Sequence, residues 1–158
     1  MKVLGVDPGT TVTGYGVIET ENGASGMGRL VECGVIRFSG RSPLPQRLHE
    51  LHLHIVDLIR RHRPGALALE NAFYQKNVHT TLVLGHARGV ILLAAEQAGI
   101  TIAQYPPATV KKTVVGAGGA PKGQVGTVVA RLLRLKEAPK PADAADGVAV
   151  ALAHILRS

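Results

Sequence analysis

Hydrophobic and polar positions repeat along the chain with two periods, which separate predicted strands from predicted helices. Residues 2–6 form a largely apolar run, "KVLGV", that is typical of a buried strand. The segments "VTGYGVIET" and "RLVECGVIRF" lie on either side of a glycine-rich turn, and this arrangement predicts an antiparallel strand pair. Two further apolar runs, "ALALE" and "ITIAQY", predict a fourth and a fifth strand.

Helical spacing of apolar residues occurs between and after the later strands. The first predicted helix covers 45–62, with apolar positions Leu48, Leu51, Ile55, Leu58 and Ile59. Further helices are predicted over 79–98, around "ATVKKTVV", from 125 to 133 and over "AADGVAVALAHIL". No repeat or long linker separates these elements. The pattern therefore predicts a single α/β domain over residues 1–158, with a mixed five-stranded sheet flanked by helices.

Composition narrows the class of protein. The 158 residues are 46% hydrophobic, which excludes a disordered chain, and only 3% are aromatic, so the core must be aliphatic. A formal charge of +7 favours a polyanionic partner, nucleic acid ahead of an acidic membrane surface. The single cysteine, Cys33, excludes an internal disulfide framework. With no signal peptide, and with charged residues inside the apolar segment 78–99, we expect a soluble cytoplasmic protein.

Four acidic residues stand at the ends of predicted elements. Asp7 ends the first strand and Glu70 ends the fourth, whereas Asp143 and Asp146 open the last helix and share one of its faces. The other acids lie in polar stretches, on helix faces or near loops: Glu19, Glu21, Glu32, Glu50, Asp57, Glu96 and Glu137. A structural alternative stays open for three of the four. Asp7 fits an Asx turn, and Asp143 and Asp146 fit a helix cap and a first-turn acid.

Convergence of the four carboxylates would point to a metal site. Carboxylates that lie close together without cations repel one another, and divalent cations remove that repulsion. Mg²⁺ prefers oxygen ligands and is commonly held by few carboxylates together with substrate phosphates. Two such ions about 3.5–4 Å apart can activate water and stabilise a leaving oxygen in phosphodiester hydrolysis. A basic protein with an acidic centre fits this chemistry, because its lysines and arginines can hold the flanking nucleic-acid backbone.

Aromatic and basic residues near these acids are candidates for nucleic-acid contacts. Phe73, Tyr74 and Lys76 follow Glu70 closely, and aromatic rings stack on unpaired bases of any sequence. Further candidates for phosphate contacts are Lys111 and Lys112 in a short helix and Lys122 beyond a glycine-rich loop. The alternatives are that the two rings belong to the core and that the lysines are ordinary surface charges.

The chain resembles the RuvC-type Holliday junction resolvases of the ribonuclease H-like superfamily. The resemblance covers nearly the whole chain and rests on "GVDPGTTVTGYGVIE", "LALENAFYQKN", "LGHARGVILLAA", "TVKKTVVGAGGAPKGQV" and "PADAADGVAVALAH". It implies a ribonuclease H-like fold and a metal-dependent endonuclease that acts in homologous recombination and repair. Such an enzyme nicks two strands of a four-way DNA junction symmetrically and leaves 5′-phosphate and 3′-hydroxyl ends.

The resemblance also assigns roles by position. It makes catalytic metal ligands of Asp7, Glu70, Asp143 and Asp146, with two Mg²⁺ ions per subunit, Mn²⁺ as a substitute and Asp7 bridging both ions. Phe73 matches an aromatic placed against bases at the crossover, with Tyr74 assisting, and Lys111 and Lys122 match lysines near the cleaved strand. The resemblance further implies a homodimer through the helix that contains Gly85 and Gly89, and a branch-migration partner of the RuvA and RuvB type. Thr11 is a departure, since relatives often carry a basic residue there.

Other functions fit parts of the sequence. An actin-like or sugar-kinase-like ATPase shares the "D-x-G-T-T" turn, but it needs a second phosphate motif and a much larger chain. A non-catalytic nucleic-acid-binding module would leave the four acids as structural residues. Another ribonuclease H-like nuclease, acting on RNA–DNA hybrids or simple duplexes, is separated from a junction resolvase only by the resemblance.

Overall fold

The fold contains five strands and five helices in the part of the chain that the structure describes. This structure is a computed structural model, and it describes residues 1–21, 27–71, 77–116 and 124–158. The strands are β1 (Lys2–Asp7), β2 (Val12–Glu19), β3 (Arg29–Arg37), β4 (Ala66–Glu70) and β5 (Thr101–Tyr105). The helices are α1 (Leu44–His62), α2 (Val78–Gln97), α3 (Pro107–Val115), α4 (Gln124–Leu132) and α5 (Ala142–Arg157). Every predicted element is confirmed, with its ends shifted by no more than two residues.

The strands form one mixed sheet in the order β3-β2-β1-β4-β5. The first three strands pair antiparallel, whereas β1 with β4 and β4 with β5 are parallel. Val6 pairs with Leu69, so the next residues along these parallel strands, Asp7 and Glu70, end side by side at the same edge. This register follows from the apolar runs, which are buried along both strands.

Each face of the sheet is covered by its own layer of helices. α1 and α2 cover one face, and their core includes Leu4, Val6, Leu51, Ile55, Leu67 and Ile91. The other face carries α3, α4 and α5 over a core that includes Val3, Ile18, Val110, Val129, Val148 and Leu152. The core is aliphatic, as the composition predicts.

Two glycines allow α5 to approach the sheet closely. A Cβ atom on Gly14 of β2 would lie 1.8 Å from the backbone oxygen of Asp143, and one on Gly147 would lie 2.4 Å from the backbone nitrogen of Tyr15. Neither separation can accommodate a side chain, so glycine is required at both positions. Because Gly14 pairs with Asp7, this close packing sets the first turn of α5 beside the end of β1.

Helix α2 buries one side and leaves an apolar side exposed. Its buried residues include Ala87, Ile91, Ala94 and Ala95, and they pack in the core that α1 also covers. Among the described helices, α2 is the one whose length and mean hydropathy would permit a membrane span. A single helix that meets those two criteria is weak support for a span, because core helices of soluble proteins meet them too.

Candidate active site

Three carboxylates from three distant elements line one cavity at the edge of the sheet. The cavity has a volume of about 290 Å³ and is lined by Asp7, Glu70 and Asp146 together with Pro107, Val110, Lys111, Val114, Val125 and Ala149. Asp7 and Glu70 reach it from the ends of adjacent strands, and Asp146 from the second turn of α5. A second cavity, of about 670 Å³, shares Lys111, Val125 and Asp146 and extends between α4 and the start of α5.

Asp143 lies beside this cluster without lining the cavity. Its backbone is packed against Gly14, which pairs with Asp7, and its charge acts on both Asp7 and Asp146. The structure therefore brings all four predicted carboxylates into one region, as the hypothesis of a shared site requires. The roles of the four as catalytic metal ligands stay a prediction.

Burial and mutual repulsion raise the pKa values of three of these groups. Burial, followed by the charges of Glu70, Asp146 and Asp143, raises the pKa of Asp7 from 3.8 to about 8. Burial, followed by the charge of Asp146, raises the pKa of Glu70 from 4.5 to about 7. Burial and the charge of Asp143 also raise the pKa of Asp146. These shifts arise because carboxylates lose hydration and face like charges.

No cation of the described residues neutralises the cluster. Within those residues, none of the four carboxylates makes an ion pair or a side-chain hydrogen bond. The Asx-turn alternative for Asp7 is therefore wrong, and so is a side-chain cap at α5, whose capping position is occupied by Pro141. Asp143 does lie in the first turn of α5, where the helix dipole favours an acid.

The donor set fits a hard divalent cation at an open site. It consists of carboxylate oxygens, and a cation would remove the repulsion that raises their pKa values. In the described part of the chain, no three histidine, cysteine or acidic side chains come close enough to form a ready-made metal cage. An open arrangement suits Mg²⁺, which keeps several waters and accepts substrate phosphate oxygens among its ligands. The residues therefore fit a metal ion whose remaining ligands are water and substrate oxygens.

The predicted DNA-binding residues divide into those the structure describes and those it does not. Lys111 lines the cavity together with Asp7, Glu70 and Asp146, beyond ion-pair distance of each. Lys112 is exposed on α3. The remaining candidates lie outside the described residues: Phe73, Tyr74, Lys76 and Lys122.

Arg88 is a residue near the site that the sequence analysis did not single out. From α2 its Nη2 donates hydrogen bonds to Asn71 Oδ1 and, at 2.6 Å, to Gln104 Oε1. Asn71 is buried, follows Glu70 directly and donates its backbone N–H to Tyr105. Arg88 thus ties α2 to the ends of β4 and β5. Arg88 stands in the segment "LGHARGV", but the sequence pattern does not reveal its hydrogen-bond partners, Asn71 and Gln104, which are 17 and 16 positions away.

The structure corrects the prediction for Glu32, which the sequence analysis placed among the ordinary acids of polar stretches, helix faces and loops. It accepts hydrogen bonds from Arg61 at 2.8 and 3.2 Å and from Tyr15 at 2.9 Å, and it contacts His62 Nε2 at 2.7 Å. The hydrogen bonds from Arg61 are the main reason that the pKa of Glu32 falls from 4.5 to about 2. Glu32 therefore joins β2, β3 and the end of α1, and it lies away from the acidic cluster.

The fold and the acidic cavity define an α/β protein of the ribonuclease H-like class. A sequence profile of RuvC, described as crossover junction endodeoxyribonuclease RuvC, matches residues 3–154. The crossover junction endodeoxyribonuclease RuvC of Magnetococcus marinus is 45% identical over 98% of this chain and 84% of its own length. That of Pelotomaculum thermopropionicum is 46% identical over 98% of this chain and 92% of its own length.

A solved structure shares the whole architecture. The structure described as Thermus thermophilus RuvC in complex with Holliday junction substrate superimposes with a TM-score of 0.91 at 35% identity. The superposition covers 99% of this chain and 94% of that one. The chain belongs to the RuvC family of crossover junction endodeoxyribonucleases. This is a family of metal-dependent nucleases, and the resemblance found in the sequence is confirmed.

Proposed function

We propose that this chain, as one ribonuclease H-like domain over residues 1–158, resolves four-way DNA junctions in the cytoplasm. The reaction is hydrolysis of one phosphodiester bond in each of two opposed strands, giving 5′-phosphate and 3′-hydroxyl ends. The observation that carries the proposal is the cluster of unneutralised carboxylates at the sheet edge, in a chain of the RuvC family. The related T. thermophilus protein is described in complex with a Holliday junction substrate, which supports the choice of DNA.

The four carboxylates are the proposed metal ligands. Asp7 stands between Glu70 on one side and α5 on the other, so it is the ligand best placed to serve two ions. Glu70, Asp143 and Asp146 would complete the protein part of the two-ion site. When bound, Mg²⁺, or Mn²⁺ in its place, supplies activation of water and charge stabilisation for the leaving oxygen. Because Asp7 and Glu70 are largely buried, charge interactions inside the cavity are stronger than they would be in bulk water.

Basic and aromatic residues are the proposed contacts to the junction. Lys111, which lines the cavity, is placed to face a phosphate of the cleaved strand. Lys76, Lys112 and Lys122 would contact neighbouring phosphates. Phe73 and Tyr74 would stack on bases that unpair at the crossover. These assignments come from the resemblance and from the positions of the residues along the chain.

The exposed side of α2 is the proposed homodimer interface. Val78, Leu82 and Leu93 are 73%, 57% and 52% exposed, and Gly85 and Gly89 face open space on the same helix. A two-fold dimer would present two active sites to the two symmetry-related strands of a junction. Leu82→Glu should convert the dimer to a monomer in sedimentation experiments. Leu53→Glu on α1, where Leu53 is 53% exposed, is the matched control and should leave the dimer intact.

Cleavage by single carboxylate variants tests the proposed activity. Asp7→Asn, Glu70→Gln, Asp143→Asn and Asp146→Asn should each lose cleavage of a synthetic four-way junction in Mg²⁺ while still binding it. Glu21→Gln, which changes an exposed acid after β2, should cut at the wild-type rate. A variant of the four that cuts at the wild-type rate would remove that carboxylate from the proposed site.

The same assay separates the proposed function from its closest alternatives. A plain duplex and an RNA–DNA hybrid are included as substrates, with and without Mg²⁺. Symmetric nicking of the junction alone supports resolution. Cleavage of the hybrid or the duplex would favour another ribonuclease H-like nuclease, and binding without any cleavage would favour a non-catalytic module. Addition of RuvA-type and RuvB-type proteins tests the proposed branch-migration partnership through a change in cleavage rate.

A further inference from the structure

Three arginines surround the turn that follows Asp7. Arg47 of α1 donates a hydrogen bond from Nη1 to the backbone oxygen of Thr10, at 3.2 Å. Arg37, the last residue of β3, pairs with Val12 at the start of β2. Arg41 lies in the loop that begins with Phe38, whose backbone N–H donates to the Thr11 oxygen at 2.9 Å. The end of β3 with its following loop, and the first half of α1, thus place three arginines around residues 10–12.

These arginines are not neutralised by acids among the described residues. Arg37 and Arg41 are exposed, and neither makes an ion pair there, nor does Arg47. Other arginines of the same chain behave differently, since Arg29 and Arg61 are both paired with glutamates. The positive charges of Arg37 and Arg41 are therefore available to an external anion.

Contacts from α1 and from the loop after β3 hold this turn in position. The stem of Arg47 is partly enclosed, and its Nε is buried without a hydrogen-bond partner among the described residues. Thr11 at the tip is exposed, and a Cβ on Gly40 would contact its methyl group at 3.7 Å. The loop that carries Arg41 consequently lies against Thr11. Its position depends on backbone contacts rather than on a surface side chain alone.

The distance between Arg37 and Asp7 indicates how far along a DNA strand from the acidic cavity the arginines would bind. β3 lies two strands from β1, which is about 10 Å across the sheet, and Arg37 lies two residues beyond Val35, the residue in register with Gly14 and Asp7, which adds about 7 Å along the strand. The resulting separation of about 12 Å corresponds to about three to four nucleotides at about 3.4 Å of rise per nucleotide. Lys111 lies on the opposite side of the cavity, after β5. A strand that crosses the cavity would therefore meet positive charge on both sides.

We propose that Arg37 and Arg41 bind DNA phosphates two to four nucleotides from the cleaved bond, with Arg47 holding the turn that supports them. The ligand is the DNA backbone, recognised by charge and by the forked geometry of guanidinium groups. The proposal rests on the proposed function, since it takes the junction as the substrate. It adds a contact surface, the arginine surface of Arg37, Arg41 and Arg47, that the carboxylate site does not require.

Salt-dependent binding to a synthetic junction without Mg²⁺ tests the arginine surface. Each lost phosphate contact should reduce the slope of log affinity against log salt by about 0.9 and weaken binding about eightfold at 0.1 M salt. Arg37→Gln/Arg41→Gln should therefore bind roughly 60-fold more weakly. The control is the double variant Arg63→Gln/Arg157→Gln, which also removes two positive charges. Arg63 lies at the carboxyl-terminal end of α1, away from Arg47, and Arg157 lies in the last turn of α5. An equal slope and affinity in the two double variants would overturn the proposal.

Two further measurements separate direct contact from general loss of charge. Neutral methylphosphonate linkages two to four nucleotides from the cleavage site should weaken wild-type binding, but they should have little further effect on Arg37→Gln/Arg41→Gln. Thr11→Arg, which adds a guanidinium to the same turn, should recover most of the affinity lost by Arg41→Gln. Unchanged affinity with those linkages in the wild type would also overturn the proposal. A wild-type protein that binds the junction but never cuts it would contradict the proposed function and leave this surface standing.

Discussion

Replacing Asp7 by Asn should stabilise the metal-free protein at alkaline pH, although we expect the same change to abolish cleavage. The ionised carboxylate is buried and repelled by Glu70, Asp146 and Asp143, and within the described residues no cation compensates it. An amide has nearly the same shape and no charge. The protein therefore carries at this position a group that is unfavourable for folding without a cation, which is consistent with the metal-binding role proposed for Asp7.

The magnitude follows from the pKa of Asp7. A rise from 3.8 to about 8 corresponds to roughly 6 kcal/mol at about 1.4 kcal/mol per pKa unit. The buried amide of the variant loses hydration, which costs about 1–3 kcal/mol. We therefore expect a net stabilisation of about 3–5 kcal/mol near pH 9. In a chain of this size it should raise the unfolding midpoint by roughly 6–20 °C.

The pH dependence has a definite sign. Because the pKa of Asp7 is higher in the folded than in the unfolded protein, protonation of Asp7 stabilises the fold. That stabilisation is fully present below about pH 4 and is lost as the pH rises through the folded-state pKa of about 8. The free energy of unfolding of the wild type should therefore fall relative to Asp7→Asn between these limits. The wild type should be the more stable protein at acidic pH, by the cost of burying the amide, and the less stable one near pH 9.

Thermal and urea unfolding in EDTA at several pH values provide the assay. Glu21→Gln, which also replaces an acid by an amide but at an exposed position after β2, should follow the wild type. Adding Mg²⁺ should raise the midpoint of the wild type more than that of Asp7→Asn, because binding to the folded state alone stabilises it. The reasoning is refuted if Asp7→Asn is less stable than the wild type at every pH.

Three further predictions concern residues that support the fold or the site. Glu32→Gln should lower the free energy of unfolding in urea at neutral pH, because it removes the charge that pairs with Arg61. We expect a loss of only about 1–2 kcal/mol, because Glu32 is partly exposed and solvent screens its charge. That loss should disappear as the pH falls from about 4.5 to about 2. A constant cost across that range would contradict the role of its charge. Arg88→Met, which keeps a long side chain but cannot donate to Asn71 and Gln104, should lower the single-turnover cleavage rate roughly tenfold with a smaller change in junction affinity; equal rates in the variant and the wild type would count against it. Gly14→Ala should lose at least about 3 kcal/mol of stability because its Cβ meets the Asp143 backbone, whereas Gly40→Ala, with its nearest neighbour at 3.7 Å, should change stability by less than about 1 kcal/mol.

Several of these supporting contacts could not be predicted from the sequence. Glu32 lies in a segment that reads as a strand with polar positions, and nothing local indicates that it meets Arg61 and His62 some 30 positions later. Arg47 similarly reads as a charge on the polar side of α1, yet it reaches the turn after Asp7 across 37 positions. Such hydrogen bonds depend on how whole elements pack, and a local pattern of residue types contains no information about that packing.

The sequence by itself determined the elements and the residues that end them. Buried positions carry apolar residues with the period of each element, so strands and helices can be recognised from local sequence. Asp7 and Glu70 can be recognised in the same way as the acids that end two buried strands. Only the tertiary structure decided that these acids meet Asp146 in one cavity. That meeting requires the parallel pairing of β1 with β4 and the close approach of α5 over Gly14, and both bring together segments more than 50 residues apart. The resulting electrostatic repulsion, which raises the pKa of Asp7 and favours a metal, is a property of the assembled fold.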